Sequence, residues 1–396
     1  MNLRFLVFSA TAAIVAASSL FALAQAPAPA AVPAPAIVEI PVPAVNAAAY
    51  LVVEATSGQV LAEQNTRQKR DPASLTKLMT AYLVFDALHQ KQISLGQRLI
   101  VPERAWRAEG SRMFIAPGAP VTAEDMIRGL IIQSGNDAAI ALAIAVASNE
   151  GDFVTKMNRE AKKLGMTDTQ FQNPTGLTQQ GHYSTAHDLA VLALALMRDF
   201  PQYTKFYAEK SFTFNKITQQ NRNRLLFLDP TVDGLKTGHT DAAGWCLITT
   251  VNRSPRKLLT VVLGAPSEAA RINESRQLID WAFTAFEGKR LYEAKKPIRQ
   301  LTVWKSTVDS IPVGFNDDVT AVTTTGNAAN VTTEFNIAEP KFGPITAGDT
   351  VGLLKVKRAG NLIYERNIIA MESAPSAPIW KRMWHSVALF FKGLVK

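Results

Sequence analysis

Apolar and polar positions along the chain fall into two alternating regimes. Tyr50-Leu51-Val52-Val53-Glu54 and Gln59-Val60-Leu61-Ala62-Glu63 are short strand-like runs around Ser57-Gly58, a turn signal, and together predict a β-hairpin. From residue 74 to about 90 the spacing changes. Leu75, Leu78, Met79, Tyr82, Leu83 and Phe85 recur at helical intervals and predict a well-packed helix. A longer helical region covers residues 122–147, broken at Ser134-Gly135-Asn136, and further helices are predicted over 153–164 and 187–198. Strand character returns at 212–214, 244–251 and 258–264, and a helix over 271–286 follows. A hairpin, then helices, then strands and a last helix predict an α/β (α+β) domain over 48–288, its sheet assembled from both ends of the segment.

Beyond Glu287-Gly288 the pattern shortens. Residues 319–324, 331–337, 350–357 and 362–370 are β-rich runs separated by Gly, Asn and Pro, which predicts a smaller all-β domain over 289–374. Residues 375–396 form a third regime. Trp380, Met383, Trp384, Val387, Phe391 and Leu394 share one helical face, and Lys381, Arg382, Lys392 and Lys396 supply positive charge around it. A bilayer span needs about 20 mostly apolar residues, and this stretch is too interrupted by charge. It predicts an amphipathic helix lying on an anionic lipid surface, detached from the domains by Ser373-Ala374-Pro375-Ser376-Ala377-Pro378. Docking on its own protein is the alternative.

The N-terminus has an address. Arg4 precedes an uncharged apolar stretch from Phe5 to about Ala24, and Ala22-Leu23-Ala24 offers the small residues of a cleavage site before Gln25. Residues 1–24 therefore predict a secretory signal peptide, with an uncleaved membrane anchor as the alternative. Its removal lowers the formal charge from +9 to about +8. Residues 25–47, rich in Ala and Pro, predict an extended spacer.

Composition adds little beyond class. Apolar residues make up 47% and charged residues 19%, ordinary for a globular protein. The basic residues are spread along the chain, with no nucleic-acid-binding motif, so nucleic acid is not an expected partner. One cysteine, Cys246, excludes an internal disulfide and predicts a buried strand thiol. No metal-ligand spacing such as His-Glu-x-x-His occurs, and no nucleotide-binding glycine motif, so no metal and no cofactor are expected.

Three constellations carry candidate chemistry. Ser74-Leu75-Thr76-Lys77 puts a hydroxyl and an amine one helical turn apart. A serine is a poor nucleophile until a base takes its proton, and a lysine with a lowered pKa can be that base. Ser74 as a simple helix cap is the alternative, although Lys77 would then put a cation at the positive end of the helix dipole. Ser134-Gly135-Asn136 could present a hydroxyl and a carboxamide from a loop, or Asn136 or Asp137 could cap the next helix. Lys236-Thr237-Gly238, followed by His239, could bind a carboxylate, or could be a strand entering a turn.

The order S-x-x-K, S-x-N, K-T-G in an exported chain resembles the penicillin-binding proteins and serine β-lactamases. The fuller runs Pro72 to Thr80, Gly135 to Ala138, Asp233 to Thr240, and Gly264-Ala265 are similar to the low-molecular-mass D-alanyl-D-alanine carboxypeptidases, penicillin-binding proteins 5 and 6 among them. The resemblance implies a transpeptidase-like catalytic domain, the second β domain and the terminal anchor. It implies Ser74 as nucleophile, Lys77 as general base and Ser134 as proton relay, with Lys236 assisting. It implies Asn136 on the substrate backbone, Lys236 and Thr237 on its terminal carboxylate, and the N–H groups of Ser74 and His239 as oxyanion hole. It implies that the strand carrying Lys236 to His239, with Gly238, pairs with the substrate in β fashion. The implied substrate is a peptidoglycan pentapeptide, the implied covalent inhibitors are β-lactams, and the implied location is the periplasmic face of the cytoplasmic membrane. No role for the His239 side chain follows.

Rivals differ in stated residues. A class A β-lactamase needs a glutamate to activate its deacylating water, and Glu150, Glu160 and Glu209 lie in no Glu-x-x-Leu-Asn setting. A D,D-endopeptidase would use the same site. A Ser-His-Asp hydrolase lacks its G-x-S-x-G elbow here. A non-catalytic wall-binding protein would not need Ser74.

Overall fold

The computed structural model describes residues 40–326 and 330–394, with side chains as far as Phe391. The expected signal peptide and most of the expected spacer lie outside the described residues. The folded body reaches back into that spacer: Val45 and Ala47 pack beside Tyr50 and Trp281, and the Trp281 indole donates to the Ile40 carbonyl at 3.0 Å.

The first half is built on a five-stranded antiparallel sheet. The hairpin of Ala49–Glu54 and Gln59–Gln64 forms one side, and Arg256–Ala265, Gly244–Arg253 and Val232–Thr240 follow, with Val232–Thr240 as the terminal strand. Both ends of the segment thus meet in one sheet, as the order of elements predicts. Ala49–Glu54 is buried on both faces. Ala49, Leu51 and Val53 face the large helical core, while Tyr50 and Val52 face the helix Glu268–Ala285. The strand period of two sorts one run of residues between two cores.

The helical core holds Lys77–His89, Ala123–Ile131, Asn136–Ala147, Glu150–Leu164 and Ala186–Asp199. The 122–147 region is interrupted where expected. Two differences from the sequence reading bear on the site and on the junction with the second half. Ser74 is not in an α-helix: Ala73–Thr76 is a 3₁₀ turn, and the α-helix begins at Lys77. The last helix ends at Ala285 because Phe286 starts a strand, Phe286–Tyr292, that pairs with Val319–Thr324 of the β half.

That strand passes through position 288, so the two halves share a short junction. Arg256 ties it together. Its Nε donates to Glu54 Oε2 at 3.1 Å, and its Nη1 donates to the carbonyls of Ala282 (3.0 Å) and Phe286 (2.6 Å). Burial pushes the Glu54 carboxyl up, against the pull of Arg256. The β half carries a six-stranded sheet around its own core of Leu301, Val313, Phe315, Leu354, Val356 and Ile368.

The C-terminal helix, Ile379–Leu394, is not detached. Lys381 Nζ donates to Asp309 Oδ1 at 3.0 Å, and the Lys305 N–H donates to His385 Nδ1 at 2.7 Å. It docks through polar groups and leaves Trp380, Met383, Trp384 and Phe391 61–69% exposed. Among the described residues no single helix is long and apolar enough to cross a membrane.

Candidate active site

The turn before the long helix is built to hold Ser74. Ala73 sits in the left-handed region at φ 47°, an uncommon place for a residue with a Cβ. The Asp71 carboxylate holds it there, accepting from the Ala73 N–H at 3.0 Å and from the Thr178 hydroxyl at 2.8 Å. Thr76 does not cap the helix. Its hydroxyl pairs with His182 Nε2 at 2.8 Å, and His182 Nδ1 accepts from the Gln172 N–H at 3.1 Å. Nε2 therefore carries the proton of the neutral ring. Burial lowers the His182 pKa to about 4, so the ring is neutral at physiological pH. Gly176 presses on the same turn with φ 82°, and a Cβ there would lie 1.8 Å from the Ala73 carbonyl oxygen. The capping reading of Ser74 fails, since neither it nor Thr76 makes a side-chain cap bond.

Lys77 is the first α-helical residue and is 1% exposed. Its Nζ has three partners: Ser74 Oγ at 3.0 Å, Asn136 Oδ1 at 2.7 Å and the Thr175 carbonyl at 2.5 Å. Its pKa is lowered to about 7, first by burial and then by Arg222, with Asp137 opposing. A neutral amine has two N–H bonds and a lone pair. Two partners, Asn136 and Thr175, can only accept, so the lone pair is left for the Ser74 hydroxyl. This geometry aims the Lys77 lone pair at the Ser74 hydroxyl, an arrangement in which an amine can act as a base.

Ser134 lies in the break between helices, at φ 63°. Lys236 Nζ donates to Ser134 Oγ at 2.9 Å and to the Thr237 carbonyl at 2.9 Å. Lys236 is held well below the ordinary lysine range by burial, then by Lys77, Arg222 and Arg271. The Asn136 carboxamide is oriented by two partners, Lys77 on Oδ1 and the Glu109 carbonyl on Nδ2 at 2.6 Å. Asp137 does not simply cap. Its oxygens accept from the N–H groups of Met113, Phe114 and Ile115 as well as Ala138.

Lys236, Thr237, Gly238 and His239 all lie on the terminal strand Val232–Thr240, whose outer edge has no strand partner among the described residues. A Cβ at Gly238 would come within 3.2 Å of the Pro72 carbonyl oxygen and 3.3 Å of Ala73 Cβ. Glycine lets this strand lie against the Ser74 turn. The His239 ring, without a role in the sequence, stacks on Trp245 with centroids 3.9 Å apart, and Arg271 covers Trp245 at 5.0 Å.

The sequence reading missed the groups that hold this arrangement: Asp71, His182, the Thr175 carbonyl, Gly176 and Arg222. Only Asn173-Pro174-Thr175-Gly176 carried a local sign, as turn residues. The three glutamates are engaged elsewhere, Glu150 with Arg104, Glu160 with Lys163 and Glu209 with Arg128. Cys246 is buried, and burial pushes its thiol up to about 11.

The pattern of the family described as D-alanyl-D-alanine carboxypeptidase matches residues 36–267, more than half of the chain. The chain belongs to the D-alanyl-D-alanine carboxypeptidase family. Residues 286–376 match the C-terminal domain of penicillin-binding protein 5. The D-alanyl-D-alanine carboxypeptidase DacC of Escherichia coli is 39% identical over 357 residues, 88% of this chain and 89% of that protein. Among solved structures, penicillin-binding protein 5 from Haemophilus influenzae superposes with a TM-score of 0.72 at 34% identity, over 85% of this chain and 100% of that one. Penicillin-binding protein D2 from Listeria monocytogenes, in an ampicillin-bound form, gives 0.56 at 31% identity, over 61% of this chain and 98% of that one. The enzyme is thus a serine-type carboxypeptidase of this family with a mixed α/β catalytic domain and a second, all-β domain. Its relatives support that reading rather than the β-lactamase or endopeptidase alternatives.

Proposed function

We propose that the enzyme removes the terminal D-alanine of peptidoglycan stem peptides through an acyl-enzyme on Ser74. The observation that carries this is the Lys77 Nζ to Ser74 Oγ contact of 3.0 Å, with the Lys77 pKa lowered to about 7. Ser74 Oγ attacks the carbonyl carbon of the penultimate D-alanine, and its proton passes to Lys77. The N–H groups of Ser74 and His239 stabilise the tetrahedral oxyanion. As the C–N bond breaks, Ser134, with Lys236, supplies a proton to the departing D-alanine amine. Water then cleaves the ester and restores Ser74.

Binding follows from the same groups. The substrate extends along the free edge of Val232–Thr240 in β fashion. Asn136 offers its second amide hydrogen to the acyl arm, while Lys236 and Thr237 receive the terminal carboxylate. A β-lactam presents an acyl group and a carboxylate to the same atoms. The ampicillin-bound and cefotaxime-bound forms of the Listeria protein support β-lactam binding here.

The location is part of this reading. The signal peptide would export the chain, and the apolar face of Ile379–Leu394 would rest on the outer surface of the cytoplasmic membrane. Incubating the purified protein with labelled penicillin and mapping the adduct tests the chemistry. Acylation at Ser74, absent in Ser74→Ala, is expected, and a label elsewhere or none would reject the scheme.

A further inference from the structure

Phe114 is placed at two disadvantages. Its backbone is left-handed, at φ 68°, which strains a bulky residue, and its ring is 46% exposed to water. The start of the Asn136 helix imposes this. The Asp137 carboxylate accepts from the N–H groups of Met113 at 3.0 Å, Phe114 at 2.9 Å and Ile115 at 3.3 Å. The Asn136 N–H bonds the Ser111 carbonyl at 2.7 Å, and Asn136 Nδ2 bonds that of Glu109 at 2.6 Å. The same asparagine that grips Lys77, with Asp137 beside it, therefore fixes residues 109–115 next to the Ser74–Lys77 site.

Arg112 lies over the Phe114 ring, 5.5 Å from its centroid, and Gln219 holds the Arg112 carbonyl at 3.1 Å. Two other arginines of this half have acidic partners, Arg128 with Glu124 and Glu209 and Arg271 with Glu268, whereas the Arg222 side chain bonds the Gln133 carbonyl. Among the described residues no carboxylate comes within ion-pairing distance of Arg112. An aromatic ring under a guanidinium holds it flat and leaves its hydrogen-bonding fork free for a carboxylate.

We propose that Arg112 and Phe114 form a subsite for a carboxylate on the acyl arm of the substrate, upstream of the scissile bond. This rests on the carboxypeptidase reading, in which Asn136 faces the acyl arm and Lys236 the leaving D-alanine. The segment tied to Asn136 then meets the upstream peptide. In a stem peptide, a γ-linked D-glutamyl unit leaves a free carboxylate in that part of the chain. Arg112 selects for it, and the strained Phe114 presents the guanidinium.

The test compares two substrates. One is L-Lys-D-Ala-D-Ala with both lysine amines acetylated, whose acyl arm is neutral. The other is the pentapeptide L-Ala-γ-D-Glu-L-Lys-D-Ala-D-Ala. The readout is the ratio of their kcat/KM values. Arg112→Gln is expected to lower the pentapeptide-to-tripeptide ratio about tenfold, the effect of one charge-assisted contact. Arg112→Lys should retain part of it. Phe114→Gly, which suits the left-handed backbone, should lower the ratio by removing the ring. In the unaltered enzyme, raising the ionic strength should lower the ratio too. A ratio unchanged by Arg112→Gln, or by salt, would overturn the subsite while leaving the carboxypeptidase reading in place. No turnover of either peptide by the unaltered enzyme would overturn that reading and the subsite with it.

Discussion

Lys77 Nζ and Ser74 Oγ lie 3.0 Å apart, and the other two partners of that nitrogen, Asn136 Oδ1 and the Thr175 carbonyl, can only accept hydrogen bonds. A neutral Lys77 therefore has one place to turn its lone pair. The site does not depend on the lysine being an ordinary surface amine, because burial and Arg222 lower its pKa to about 7.

That value sets a pH dependence. A lowered lysine pKa means the neutral, basic form prevails above about 7. Second-order acylation by penicillin should rise about tenfold per pH unit below that value and level off above it. Lys236 is also held well below the ordinary lysine range by burial. In the proposed scheme its charge receives the substrate carboxylate, so a falling limb is expected on the alkaline side. Stopped-flow acylation across pH 5–11 checks this. A flat profile between pH 5 and 8 would remove Lys77 from the role of base.

Gly176→Ala should damage the turn that carries Ser74. The new Cβ would meet the Ala73 carbonyl at 1.8 Å, and the backbone φ of 82° disfavours any side chain. A cost of about 2–4 kcal/mol is expected. It would be read as a Tm fall of roughly 5–15 °C, together with slower acylation. Unchanged Tm and acylation would show that the turn can yield.

Trp245 is a positioning residue for the end of the strand Val232–Thr240, along which the proposed substrate lies. It is the cross-strand partner of His239, stacks on its ring and is itself covered by Arg271. Trp245→Ala should slow acylation about tenfold, in keeping with loss of one aromatic stack and one cation–π contact. Trp245→Phe should restore most of the rate. Failure of the phenylalanine variant to recover activity would argue against stacking as the cause.

The C-terminal helix should hold the enzyme to lipid chiefly through its apolar face. Lys381 is already engaged by Asp309, which removes one cation from the lipid-facing charge, whereas Trp380, Met383 and Trp384 are 66–69% exposed. Deleting residues 380–396 should abolish vesicle binding and leave penicillin acylation intact. Trp384→Glu should weaken binding to anionic vesicles more than a rise to 0.5 M salt does. A truncated chain that still sediments with vesicles would place the anchor elsewhere.

Much of this protein was legible in local pattern. The hairpin, the break at Ser134, the strand character of 244–251 and 258–264 and the change of regime near 288 follow from apolar periodicity and turn residues, which act over a few positions. The eight candidate residues were legible as well, because Ser74 with Lys77, Ser134 with Asn136, and Lys236 to His239 each sit within one short run. Their meeting was not. Lys77 touches Asn136 across 59 positions and Thr175 across 98, and Lys236 touches Ser134 across 102. Only the packed sheet and helical core bring such distant groups within 3 Å. The lowered pKa of Lys77 is a product of that packing, since burial is its largest cause. Tertiary structure likewise decided that Ser74 lies in a 3₁₀ turn held by Asp71 and Gly176, and that the C-terminal helix docks by Lys381 and His385. The candidate groups could be read from short runs of sequence; the burial and the long-range contacts that tune them exist only in the folded chain.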